Sequence, residues 1–308
     1  MLNNAFRRGW LVCVVLGAAL ATGACGVRPT TAAIGEPVIL AAPVPPSTTT
    51  PAAAPAPPLT PVPKVDESGG ATGASINPDA LVAAAQKAEP NTTLGAVVFD
   101  RTLNTELVAV DADRQFSSAS LVKLMIAIDV LDQGADSDDR RALARMLSVS
   151  DDTIASTYWV KGGRDDIITR VVPLIGLQGT EPPSNPGKWG EVQLTAHDVL
   201  RVYQYVMAMP AADNTLIVDA LAQAPQYAAD DWDQWFGIPD GLDLQWAIKQ
   251  GWGNNSRTMV LHSTGLVGAN WRYVVVLLTE HPLGSGWRTS EDAATAAAHA
   301  LTGLLPGA

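Results

Sequence analysis

Between Gln115 and Leu131 the chain reads Gln-Phe-Ser-Ser-Ala-Ser-Leu-Val-Lys-Leu-Met-Ile-Ala-Ile-Asp-Val-Leu, apolar on almost every side from Leu121 onward. A helix that is apolar all round is a buried one, so this segment belongs at the centre of a domain. The flanking pattern supplies the rest of that domain. Asn77-Pro78-Asp79 is a helix-start signal, and residues 80–88 continue it as a helix. Residues 94–99 and 106–110 read as two strands of a hairpin around the turn-rich segment 100–105. Helices are expected over 138–147, 151–160, 164–175 and, capped by Thr195, 196–209. Strands are expected over 244–248, 257–263 and 272–279, and a last helix over about 290–305. Two strands before a block of helices and three after it suggest one five-stranded antiparallel sheet in an α/β (α+β sandwich) fold. The terminal helices would cover one face and the helical block the other.

The first 76 residues carry no such pattern. In residues 1–25, Arg7 and Arg8 precede an apolar run from Trp10 to Leu20, the layout of a secretory signal, and the run is too short to span a membrane comfortably. The segment Ala21-Thr22-Gly23-Ala24-Cys25-Gly26 resembles a bacterial lipobox, with Cys25 the residue to be acylated; Thr22 departs from the aliphatic residue usual there. Residues 26–76, rich in Pro, Ala, Thr and Ser, cannot bury a core and are expected to form a disordered tether. It would lift a domain of residues 77–308 off the extracytoplasmic face of the cell membrane. Cys13 would leave with the signal, so the folded domain has no thiol chemistry and no disulfide.

Removing Arg7 and Arg8 takes the basic count from 20 to 18 against 31 acidic residues, a net charge of −13. That excess argues against nucleic acid and anionic headgroups as partners. His197, His262, His281 and His299 are scattered without ligand spacing, so neither a metal nor another cofactor is expected. A monomer is expected.

Candidate chemistry starts at the first turn of the buried helix. Ser120 and Lys123 lie three residues apart, on one face. A lysine walled in by Leu121, Val122, Leu124 and Met125 loses hydration, and desolvation lowers its pKa. A neutral lysine beside a serine is a general base beside a nucleophile. The plainer alternative is an N-capping serine and a lysine that snorkels from the helix end. Two other segments bear on the choice. Ser150-Asp151-Asp152 opens a later helix, where N-capping alone would explain it. Lys249-Gln250-Gly251-Trp252 leaves the strand 244–248, an ordinary place for a lysine and a glycine.

The order of the three segments, S-x-x-K on a buried helix, S-D-x opening a later helix and K-x-G on a strand, resembles the penicillin-recognising serine hydrolases, which include class A β-lactamases and D,D-peptidases. The resemblance covers residues 77–305. It implies a β-lactamase/transpeptidase-like fold with Ser120 as acylated nucleophile and Lys123 as base. Ser150 would relay the proton to the leaving group, and Lys249 would hold Ser150 and a substrate carboxylate. The backbone N–H groups of Ser120 and Trp252 would form the oxyanion hole. Gln250, Gly251 and Asp152 would border the substrate. It also implies a cell-wall peptide or a β-lactam-like small molecule as partner.

Three departures qualify those roles. Asp152 stands where asparagine is usual, and would hold Lys123 protonated. Gln250 stands where threonine or serine is common. The loop before Thr195 lacks the E-x-x-L-N glutamate that activates the deacylating water; Glu181 and Glu191 fit neither pattern. Two readings follow. One is a membrane-anchored serine hydrolase with weak β-lactamase activity at best. The other is a catalytically degenerate lipoprotein that binds a wall fragment or a protein. Trp232 and Trp235, in the loop before the third segment, could wall the cleft or grip a glycan.

Overall fold

Asn77 caps the first helix, its Oδ1 accepting from the Asp79 N–H at 3.0 Å, and α1 runs Pro78–Ala88. The computed structural model describes residues 77–305; the signal, Cys25 and the tether lie outside the described residues. The order continues β1 Thr93–Asp100, β2 Thr105–Val110, β3 Phe116–Ser117, α2 Val122–Asp132, α3 Ser137–Ser148, α4 Asp152–Lys161, α5 Asp165–Ile175, β4 Gln193–Leu194, α6 Ala196–Ala208, α7 Ala211–Ala222, the single turn α8 Ile238–Gly241, β5 Trp246–Asn254, β6 Thr258–Val267, β7 Tyr273–Pro282 and α9 Trp287–His299. The main sheet is antiparallel with strand order β2-β1-β7-β6-β5. The sequence-based reading of one five-stranded sheet therefore holds, with β5 at its edge.

Period-two alternation decides which layer each strand residue joins. In β7, Val274, Val276 and Leu278 pack with α2 and the helical block, and in β1 so do Val97 and Phe99. Their neighbours Tyr273, Val275, Leu277, Ala96 and Val98 pack on the other face against Leu81 and Ala85 of α1 and Ala293 and Ala297 of α9. The three-layer arrangement expected from the hydrophobic pattern is thus the observed one.

Four details differ. α7 was not expected: Pro210 ends the preceding pattern, but Ile217, Val218 and Leu221 then bury against the helical block. The two-residue pairing of β3 with β4, Phe116 opposite Leu194, is too short to leave a sequence pattern. The last helix ends at His299, short of residue 305. Finally β5 runs on to Asn254, so Lys249-Gln250-Gly251-Trp252 lies inside a strand and not beyond its end. Pairing with β6, Lys249 opposite Thr264 and Trp252 opposite Leu261, carries it through two glycines.

Two histidines are buried in the sheet, and one of them, His262, ties it to the segment before Ser120. His262 of β6 donates from Nε2 to the Ser117 carbonyl at 2.8 Å, and its Nδ1 accepts from the Thr279 N–H at 3.2 Å. That arrangement needs the neutral ring, and burial pushes the His262 pKa down to about 4. Burial does the same to His281. Groups held neutral in the folded state but free to protonate near pH 6.5 when unfolded weaken the fold as pH drops. Stability is therefore expected to be full above about pH 6.5 and to fall between there and about pH 4, at roughly 1 kcal/mol per pH unit per histidine. Thermal denaturation across pH 7 to 4 checks this, and His262→Gln should make the slope shallower.

Candidate active site

The chain enters α2 through a turn of 3-10 helix, Ala119–Leu121. Ala119 adopts φ +44°, a backbone region costly for a residue with a Cβ. Ser120 does not cap the helix: the residue at the α2 cap position is Leu121, with no side-chain cap bond. Its hydroxyl instead lies 2.8 Å from Lys123 Nζ. Lys123 does not snorkel either, since it is 0% exposed. The Trp189 ring lies over its ammonium, 5.1 Å from Nζ to the ring centroid.

The second segment resolves in the same direction. The cap of α4 is Asp151, whose Oδ1 accepts from the N–H groups of Thr153 and Ile154 at 3.0 and 3.1 Å. Ser150, at φ +54°, is thereby free of capping and turns inward. Its hydroxyl lies 3.0 Å from Lys123 Nζ and 3.0 Å from Lys249 Nζ. Its carbonyl accepts from Lys123 at 2.6 Å. Lys249, also buried, holds its own strand through the Gln250 carbonyl at 2.9 Å. Side chains from α2, the start of α4 and β5 thus meet in one chain: Ser120, Lys123, Ser150, Lys249.

Burial lowers the Lys123 pKa from its ordinary value, and the Asp152 carboxylate opposes that shift. The pair is asymmetric: Nζ to Oδ1 is 2.6 Å, yet Asp152's side chain is 67% exposed while the lysine's is wholly buried. Lys249 is pushed well below the ordinary lysine value, first by burial and then by the charge of Lys123. Two adjacent buried amines cannot both be cationic cheaply, so the site has the electrostatics to keep one of them neutral.

A cleft of about 360 Å³ opens over Ser120, bordered by Asp152, Trp189, Gly190, Glu191 and Trp252. Gly251 lets β5 run close beneath it: a Cβ there would stand 3.1 Å from the Ser118 carbonyl oxygen. Gln250 does not border this cleft, which corrects its expected substrate-binding role. Strand alternation turns its side chain away from the face Lys249 uses. There it donates to the carbonyls of Gln234 and Phe236 at 3.0 and 2.6 Å. Gln234 in turn donates to the Ser148 carbonyl at 3.1 Å, two residues before Ser150. Gln250 is therefore a strut between β5, the loop beneath it and the end of α3.

The loop before Thr195 brings the Trp189 indole over Lys123. Glu191 reaches the cleft but is paired with Lys188 at 2.8 Å. Glu181 is exposed, bridges Gln193 through the backbone and does not border the cleft. The two loop tryptophans separate. Trp232 stacks on Trp252 at 6.0 Å between centroids, whereas Trp235 packs edge-on against Trp246 and donates to the Ala224 carbonyl. Asp230 escaped sequence reasoning; it accepts from Trp252 Nε1 at 3.2 Å, and no residue pattern marks it.

Gln250→Ala would leave two buried carbonyls unpaired and should cost about 1–3 kcal/mol of stability. Chemical denaturation checks this, with Ser120 reactivity retained below the midpoint. Unchanged stability with lost ligand binding would restore Gln250 to the substrate site.

No family model matches the chain. Curated relatives include LppW of Mycobacterium tuberculosis and of Mycobacterium bovis, named as lipoproteins, each 34% identical over 202 residues. The match covers 62% of this chain and 64% of each relative, so the chain spans somewhat under two thirds of their length. Similar solved structures include a class A β-lactamase from Bacteroides cellulosilyticus, with TM-score 0.59 and 11% identity over 72% of this chain and 96% of that one. The β-lactamase of Streptomyces albus G gives 0.56 and 19% over 71% and 98%. PBP-A gives 0.57 and 16% over 72% and 94%. Residues 77–305 therefore have the fold shared by the class A β-lactamases and PBP-A.

Proposed function

We propose that this protein is an envelope serine acyl hydrolase that works through an acyl-enzyme on Ser120. The observation that carries the reading is the unbroken contact chain from Ser120 through Lys123 and Ser150 to Lys249. Neutral Lys123 takes the Ser120 hydroxyl proton as Oγ attacks the acyl carbon. The proton then passes through Ser150 to the leaving group as the bond to it breaks. The backbone N–H groups of Ser120 and Trp252 receive the charge that develops on the acyl oxygen. A PBP-A mutant of the same fold exists as an acyl-enzyme with penicillin G, which supports a cell-wall peptide or a β-lactam as the substrate class. Hydrolysis of the acyl-enzyme is slow in this reading, because the loop before Thr195 lays Trp189 over Lys123, its Glu191 is paired with Lys188, and the Asp152 carboxylate is engaged by Lys123. β-Lactamase activity is accordingly weak at best. The likeness to proteins named as lipoproteins supports a lipid anchor on Cys25 and a place on the extracytoplasmic face of the membrane.

One observation favours a second reading, a binding protein whose catalysis has lapsed. The 2.6 Å contact of Asp152 with Lys123 stabilises the charged amine, and a protonated lysine accepts no proton.

Intact-mass analysis after fluorophosphonate treatment distinguishes the two. The first reading expects one adduct on Ser120, lost in Ser120→Ala and slowed by about 10²–10⁴-fold in Lys123→Met. No adduct at any pH would leave the binding reading.

The pH dependence follows from the sign of the shift. Labelling should rise as Lys123 loses its proton, at a pH below that of an ordinary lysine. Asp152→Asn removes the charge that holds the proton on, so its labelling should rise at lower pH and be faster near neutrality. A rate profile identical to that of the unaltered protein would show that Asp152 exerts no control.

A further inference from the structure

Beyond the cleft over Ser120, and sharing Ser117, Lys188, Glu191, Asn255 and Thr258 with it, lies a second, more polar cavity of about 600 Å³. It ends at the β5–β6 hairpin and at Glu280. Its charges are mostly matched. Lys188 pairs with Glu191 at 2.8 Å, and Glu280 pairs with Arg114 at 2.9 Å. Among the described residues that line this cavity, Arg257 forms no ion pair with a carboxylate. The hairpin backbone that carries Arg257 is held by Asn255. Asn255 Oδ1 accepts from the N–H groups of Arg257 and Thr258 at 2.8 and 2.9 Å, and the Asn255 N–H donates to the Thr258 carbonyl at 3.0 Å.

The annex has a direction relative to the reaction. Asp152 lines the cleft over Ser120 but does not line the annex. Asp152 borders the other end of the cleft, where the surface continues over Thr153, Ser156 and Thr157. Between the two ends runs the edge strand β5, whose residues Trp252, Gly253 and Asn254 line the cleft. An edge strand offers unpaired backbone groups to an extended ligand. An acyl chain bonded to Ser120 and lying along β5 would arrive at the hairpin and Arg257.

We infer that the acyl part of the substrate carries a carboxylate, which Arg257 receives in this annex. The inference rests on the acyl-enzyme reading above. A guanidinium fork matches a carboxylate or a phosphate. With the Lys188–Glu191 and Arg114–Glu280 pairs matched, the annex offers one uncompensated positive charge, which matches a monoanionic carboxylate better than a phosphate dianion. Elsewhere the acidic domain repels anions, so one uncompensated arginine at the end of the cleft is enough to discriminate.

The test compares two acyl donors of equal length, p-nitrophenyl hemiglutarate and p-nitrophenyl valerate, by the rate of acyl-adduct formation on Ser120. Fluorophosphonate labelling runs in parallel as the check that the nucleophile is competent. The unaltered protein should favour the hemiglutarate by about fivefold, the scale of one exposed charge pair, and less at high salt. Arg257→Gln should bring the ratio to about one, Arg257→Lys should restore part of it, and Arg257→Glu should take it below one. Equal rates in the unaltered protein, a preference that survives Arg257→Gln, or reaction of neither ester, each with fluorophosphonate labelling intact, would overturn this inference alone. Absence of any Ser120 adduct, fluorophosphonate included, would overturn the acyl-enzyme reading and this inference with it.

Discussion

The amine of Lys123 has no access to solvent, and four oxygen atoms surround it. Ser120 Oγ, Ser150 O, Ser150 Oγ and Asp152 Oδ1 all lie between 2.6 and 3.0 Å from Nζ. An ammonium has three protons to give, and a neutral amine has two protons and one lone pair, so either form serves three of the four oxygens. Burial favours that neutral form and Asp152 the charged one. Much of the surrounding structure serves to hold this balance. The apolar helix α2 walls the amine in, Trp189 roofs it, Asp151 takes over the cap so that Ser150 can turn inward, and β5 brings up a second buried amine.

Neither lysine could keep its place without the sheet. A buried cation without partners is costly enough to neutralise or to unfold the region. Here the partners come from three segments far apart in sequence, and hydrogen bonds that do no chemistry set their spacing. Gln250 and Gln234 join β5 to the end of α3. His262 holds the Ser117 carbonyl three residues before the nucleophile. Gly251 lets the strand pass under Ser118. The geometry of the site is thus a property of the whole domain, which is why acid that charges the histidines threatens both together.

The layers were legible in the sequence because a strand buried on both faces reads as a continuous apolar run. Residues 94–99 and 273–278 are such runs, and with the apolar segment after Leu121 they fit a sheet between two helical layers. Ser120, Lys123, Ser150 and Lys249 were legible as ordered segments whose residue types the chemistry needs, and the structure brings them together. Gln250 was misread because its position inside the motif suggested contact with substrate. Only the extension of β5, a tertiary pairing, decides that its side chain points the other way. Trp189's place over Lys123, Asp230 beside Trp252 and the unmatched charge of Arg257 come from loops. No period or spacing constrains a loop side chain, so sequence alone could not place them.

The claim on which this account turns is that Lys123 gives up its proton more readily than an ordinary lysine. A ¹³Cε-lysine NMR titration of the folded protein, with the signal assigned by its loss in Lys123→Met, measures this directly; the sequence has only six lysines. The account predicts a Lys123 midpoint below the ordinary lysine value of about 10.4, moving lower still in Asp152→Asn. A midpoint at or above that value, unmoved by Asp152→Asn, would contradict it.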